Sequence, residues 1–168
     1  MRLNNSRRLT IAAYVATLGS IYLMIGVAEF AAGLRDLFQP SPVGNLFGLP
    51  ADIFGGFSAL VIGCAYLGGT SFWKGKHESL GFIFVGTLLS AVFGILYLLI
   101  VCADGFETLL ASLEGKAWTW EWLIRGRAGS GLLRPEIWLF FVSLPLAYFA
   151  LRKTKRRGFN KPESRGSS

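Results

Sequence analysis

The sequence predicts an all-α integral membrane protein: a four-transmembrane-helix bundle with a short amphipathic interfacial helix between the third and fourth spans. Three observations carry this reading. Of 168 residues, 52% are apolar and only 16% charged, with a mean hydropathy of +0.48, whereas a soluble domain carries roughly a quarter charged residues. The apolar residues are gathered into four runs. Lys and Arg are divided unevenly among the segments that join them. Together these features exclude a water-soluble enzyme, a disordered chain and a nucleic-acid-binding module.

Residues 9–28 hold no charge and are bracketed by Arg8 and Glu29; residues 53–73 and 80–103 are equally uncharged. Each run exceeds the ~18 residues that mark a membrane-spanning helix, since ~30 Å of hydrocarbon needs ~20 residues at ~1.5 Å rise. A lone strand leaves its backbone unpaired in lipid, so each run reads as a helix. The fourth run, residues 137–151, is short and contains Pro145. Pro135 suits its first turn, Trp138 suits an interface, and Arg152 and Lys153 reach water by snorkelling. The expected spans are about 9–30, 53–73, 80–103 and 136–153, in a single domain over 1–155. Residues 156–168 form a basic, polar tail with the composition of a disordered segment.

Charge chooses four spans over three. Arg2, Arg7 and Arg8, then Lys74 and Lys76, then Arg152, Lys153, Lys155, Arg156, Arg157, Lys161 and Arg165 share one side of a four-span chain: 12 of the 17 basic residues. The positive-inside rule assigns that side, and both termini, to the cytoplasm of a cell membrane. Three spans would export the most basic tail. A cleaved signal peptide is the competing reading of the first run, but the run is longer than the usual 7–15 residues.

Between spans, residues 31–52 carry Pro40, Pro42, Gly44, Gly48 and Pro50, which read as a loop. Phe106, Leu109, Leu110 and Leu113 recur at helical spacing as the amphipathic helix, and Gly115 is expected to end it. Trp73, Trp118, Trp120, Trp122 and Trp138 fall at or beyond span ends, where indoles anchor at the membrane interface. Gly55, Ala59 and Gly63, and likewise Gly86, Ser90 and Gly94, recur every fourth residue, as does Ala12, Ala16 and Ser20. Such stripes let membrane helices approach closely, and the Gly86/Ser90/Gly94 stripe is expected to face outward toward a partner.

No Asp, Glu, Lys, Arg or His lies inside the four uncharged runs, so a proton relay or charged ion path has no evident groups. Glu29, at the end of the first run, is the one possible functional carboxylate. It is expected to be hydrated at the boundary, so that neutralising it changes little. Cys64 and Cys102 sit at different depths, and no Cys-x-x-Cys occurs, which disfavours an intrachain disulfide. Two cysteines and a loop His77 make a poor metal site, and no nucleotide loop or hydrolase motif appears. No catalytic residue, metal site or cofactor is expected, and the chain reads as a non-enzyme. Its partners are the lipid bilayer and other membrane protein chains rather than nucleic acid. The leading reading is a non-catalytic subunit or assembly factor of a larger membrane complex. The alternative is a small oligomeric transporter or channel for an uncharged or lipid-like solute, with Tyr14, Tyr22, Tyr66, Tyr97, Ser58, Thr87 and Ser90 as its polar contacts.

Overall fold

The computed structural model describes residues 5–38, 52–74, 78–124 and 131–158, and among these every regular element is helical. Helix α1 spans Asn5–Phe38, α2 Ile53–Gly69, α3 Glu78–Leu113, α4 Glu121–Ile124 and α5 Pro135–Gly158. Two short 3₁₀ segments, Thr70–Lys74 and Gly131–Leu133, extend α2 and lead into α5. Two helices, Arg8–Phe38 and Glu78–Leu113, are long and apolar enough to cross a membrane by length and composition; α2 and the apolar part of α5 are shorter.

The helix ends follow from local chemistry. Asp52 precedes α2 in an extended conformation, and its Oδ1 accepts the Gly55 N–H at 3.0 Å, capping an otherwise orphaned donor. Gly115, at φ +89°, closes α3: its N–H donates to the Ser112 carbonyl while Lys116 N–H reaches the Ala111 carbonyl at 3.1 Å. That crossed pair satisfies the last carbonyls and needs a left-handed residue, so the expected stop at Gly115 is found. Pro135 opens α5, where its missing N–H costs nothing. Pro145 lies within α5 without ending it, and the Tyr14 hydroxyl donates to the nearby Val142 carbonyl at 2.6 Å, tying α1 to α5 there.

Three boundaries differ from the sequence reading. The amphipathic stretch Phe106–Leu113 is not a separate interfacial helix but the end of α3, which passes Ala103 unbroken. A lone glycine at 105 costs ~1 kcal/mol relative to alanine, too little to stop a helix with continuing side-chain contacts. Those contacts are specific: a Cβ at Gly105 would meet the Trp122 ring at 3.0 Å, so the glycine seats that indole. Helix α1 continues through Phe38, into the expected loop, and α5 continues through Gly158, into the expected tail. The remaining loop residues, the His77 turn and residues 159–168 lie outside the described residues.

Close packing is concentrated between α1 and α2. A Cβ on Gly56 would sit 2.4 Å from the Phe30 nitrogen, one on Gly26 2.7 Å from the Leu60 nitrogen, and one on Gly63 2.8 Å from Leu23 Cγ. The seam on α1 is therefore built from Gly19, Gly26 and Gly33, spaced by seven. It is not built from Ala12, Ala16 and Ser20, of which Ser20 is exposed. Gly55, Ala59 and Gly63 are buried. So is the Gly86/Ser90/Gly94 stripe, which contradicts its expected outward placement. Gly86 meets the Tyr66 ring, Gly94 meets Phe140, and Ser90 bonds to Tyr22. The stripe turns inward because the tyrosine rings need its volume and their hydroxyls need partners.

Candidate functional site

Two polar groups of residues lie inside the bundle. The first is a set of hydroxyls halfway along it. Tyr22 lies 2.5 Å from Ser90 Oγ, Ser90 lies 3.2 Å from Ser143 Oγ, and Ser143 donates to the Phe140 carbonyl at 2.7 Å. Because each hydroxyl has one proton, Ser143's donation obliges Ser90 to donate to Ser143 and Tyr22 to donate to Ser90. Tyr66 donates to Thr87, which donates to the Ile83 carbonyl; Ser58 donates to the Gly55 carbonyl. These hydroxyls give the interior a polar seam between α1, α2, α3 and α5, with every donor placed.

The second group is charged, and it lies at the level where α2 and α5 begin, beside α1 and α3, which both run on past it. Five residues meet there: Glu29 from α1, the cap Asp52 of α2, Tyr97 from α3, and Arg134 and Glu136 at the start of α5. Glu29, Arg134 and Glu136 are 0%, 1% and 2% exposed. Arg134 Nη2 contacts Asp52 Oδ2 at 2.5 Å, and its guanidinium carbon lies 3.8 Å from the centre of the Tyr97 ring. Tyr97 completes the triangle by donating its hydroxyl to the same Asp52 oxygen at 2.7 Å. Stacking and ion pairing together hold the guanidinium flat against α3.

The remaining two carboxyls are poorly served. Glu136 Oε2 is 3.8 Å from Arg134 Nε, beyond hydrogen-bond range. Both oxygens of Glu29 and both of Glu136 are buried without a hydrogen-bond donor. The expectation of a hydrated Glu29 is thus overturned. Its position on the stripe that carries Tyr22, Gly26 and Gly33 turns it into the bundle, and the close α1–α2 contact at Gly56 shuts out water. Gly55 gives the centre its room: a Cβ there would press on Tyr97 Oη at 2.8 Å, Glu136 Oε1 at 2.9 Å and Asp52 Oδ2 at 3.0 Å.

Burial pushes the Asp52 carboxyl up, but bonds from the Gly55 N–H, the Tyr97 hydroxyl and Arg134, with the guanidinium charge, outweigh it and hold it below the ordinary carboxylate range. A lowered folded value stabilises the protein above the unfolded value of about 4 and loses that contribution as pH falls through the folded value. Thermal midpoints in detergent should therefore decline on acidification below that point. Asp52→Asn should flatten the decline while lowering the midpoint at neutral pH.

Other singled-out residues fall elsewhere. Trp118, Trp120 and Trp138 are exposed, and Trp118 and Trp120 meet edge to face at 5.5 Å. The Trp122 ring packs against Gly105 of α3, and its indole nitrogen is buried without a hydrogen-bond partner. The Trp73 side chain lies outside the described residues. Cys64 and Cys102 are free and exposed. Among the described residues, no cluster of His, Cys, Asp and Glu is arranged to hold a metal ion. Sequence reasoning missed Asp52, Tyr97, Arg134 and Glu136 as a centre, because all but Tyr97 stand just outside the apolar runs and read as boundary charges.

Residues 5–153 match the protein family described as the MJ0565 integral membrane domain. No curated protein and no solved structure matches the chain at a significant level.

Proposed function

The chain belongs to the MJ0565 integral membrane domain family, and on that premise we propose that it is a small four-span carrier whose functional centre is the buried Glu29–Asp52–Tyr97–Arg134–Glu136 group. The observation that carries this reading is the pair of buried glutamates with no donor to any of their four oxygens. Ionisable groups at membrane depth are costly and are retained chiefly where solutes or protons are handled. The seam of tyrosine, serine and threonine hydroxyls supports a solute that is uncharged or lipid-like. The proposed role is non-catalytic.

Four spans are supported by what the shorter helices present to their surroundings. Phe54 and Phe57 on α2, and Trp138, Phe141 and Tyr148 on α5, are exposed large hydrophobics, which suits lipid contact. With both termini in the cytoplasm of a cell membrane, the charged centre lies near the outer face. Cysteine labelling checks this: in a background lacking Cys64 and Cys102, Lys116→Cys should react with an impermeant maleimide in intact cells and Ser164→Cys should not. Labelling of Ser164→Cys would remove the four-span arrangement.

A second reading, a subunit or assembly factor bound to other membrane chains, is favoured by the end of α3. Phe106, Leu110 and Leu113 are exposed there beside Trp118 and Trp120, an apolar surface beyond the span that suits a partner. Native mass spectrometry of the purified protein, followed by solute flux into liposomes, separates the two. A monomer or homo-oligomer that moves a solute, and loses that flux in Glu136→Gln, supports the carrier. Stoichiometric foreign chains and no flux support the subunit.

A further inference from the structure

The charged centre brings three carboxyls around one guanidinium, whose hydrogen bond goes to Asp52 and whose plane lies over Tyr97, with only a long ion pair left for Glu136. Glu29 and Glu136 close on consecutive residues of α2, Glu136 Oε1 against Gly55 and the Glu29 backbone against Gly56, each wholly buried and with no donor to either oxygen. Two carboxylates buried side by side without donors do not both stay ionised, because their repulsion adds to the loss of water. Something positive must satisfy them. A second cation would have to settle beside Arg134, whose Nε stands 3.8 Å from Glu136 Oε2, and would meet its repulsion. The tight α1–α2 contact at Gly56 and Phe30 also leaves little space for an ion's ligands. A proton needs no such room.

We propose that Glu29 and Glu136 bind one proton between them, as a carboxyl–carboxylate hydrogen bond that clasps α1 to α5. The proton comes from water on the side of Asp52, the partly exposed edge of the centre. An O–H bond forms on one glutamate, hydronium becomes water, and the new hydroxyl donates to the other glutamate's carboxylate. Helices α1 and α5 touch little elsewhere, apart from the Tyr14 bond to Val142. Release of the proton therefore sets two negative charges face to face and frees α1 from α5 at this end. The groups that face the pair are Asp52 before α2, Tyr97 on α3 and Arg134 before α5. None of them donates a hydrogen bond to either glutamate; the nearest donor, Arg134 Nε, is itself without a hydrogen-bond partner and stands 3.8 Å from Glu136 Oε2. This inference deepens the reading of the centre as functional and names its ligand, but it is tested without any transport step.

Infrared spectroscopy of the full-length protein in lipid nanodiscs reads the proton directly. At neutral pH the wild type should show the C=O stretch of one protonated carboxylic acid per chain, shifting in deuterium oxide. Glu29→Gln and Glu136→Gln should each lose it; each amide keeps a donor for the remaining carboxylate, so the fold should survive. Asp52→Asn should retain it. Absence of the band from the wild type, its persistence in either glutamine variant, or its loss when sodium or potassium chloride is titrated in at fixed pH would overturn the proposal. If flux is absent while the band behaves as stated, the carrier reading fails and the proton site stands.

Discussion

Replacing Arg134 with methionine should destabilise the protein more than any other single substitution at the charged centre. Methionine keeps most of the side chain's length, so the loss isolates charge and hydrogen bonding from volume. What remains would be three carboxyls and no cation in a region where Glu29 and Glu136 have almost no exposure. Removing one partner of a buried ion pair costs ~3–5 kcal/mol, because the other charge stays buried without compensation. In a thermal-shift assay in detergent, Arg134→Met should melt well below the wild type. Arg134→Lys should fall between them: it keeps the charge but loses the planar fork and the stacking on Tyr97, seen at 3.8 Å. Adding Asp52→Asn to Arg134→Met should recover part of the loss, since the stranded charge is then removed. An Arg134→Met protein that melts with the wild type would mean that the guanidinium contributes no net stability.

The sequence reveals the membrane class and the helical runs plainly, because both follow from composition and period. It conceals the centre for a reason that is also physical. Hydropathy treats a charge at the edge of an apolar run as a boundary, and Glu29, Asp52, Arg134 and Glu136 each stand at such an edge. Their depth is fixed by tertiary packing: α1 runs on to Phe38 and α3 to Leu113, so the bundle extends past the uncharged segments and encloses their flanks. One signal was available. Gly19, Gly26 and Gly33 repeat every seven residues on α1, and Glu29 lies three residues after one and four before the next. At 3.6 residues per turn it shares their face, and a face that carries a glycine seam is pressed against another helix. The direction of the Gly86/Ser90/Gly94 stripe had no equivalent signal. A small-residue stripe admits a neighbour without saying whose helix it is, and only Tyr22, Tyr66 and Phe140 show that the neighbours belong to the same chain.

Two glycine-to-alanine changes in this bundle should have opposite outcomes. At Gly56 the added methyl would lie 2.4 Å from the Phe30 nitrogen, 2.8 Å from its Cα and 3.0 Å from the Glu29 carbonyl carbon. All three are backbone atoms, so no rotamer change relieves the overlap, and α1 must move away from α2. Overpacking of this kind costs ~1–3 kcal/mol, and more where the contacts are rigid. Because the displaced backbone is that of Phe30 and the adjoining Glu29, Gly56→Ala should also weaken the infrared signature of the Glu29–Glu136 proton. Gly81 on α3 has nothing within 4 Å of an added Cβ. There alanine only restricts the unfolded chain and favours the helix, so Gly81→Ala should hold the midpoint or raise stability by up to ~1 kcal/mol. Melting both variants beside the wild type, with infrared spectra of each, separates seam from surface. Equal midpoints for the two would show that α1 and α2 yield freely at Gly56, and the dry enclosure of Glu29 would lose its structural basis.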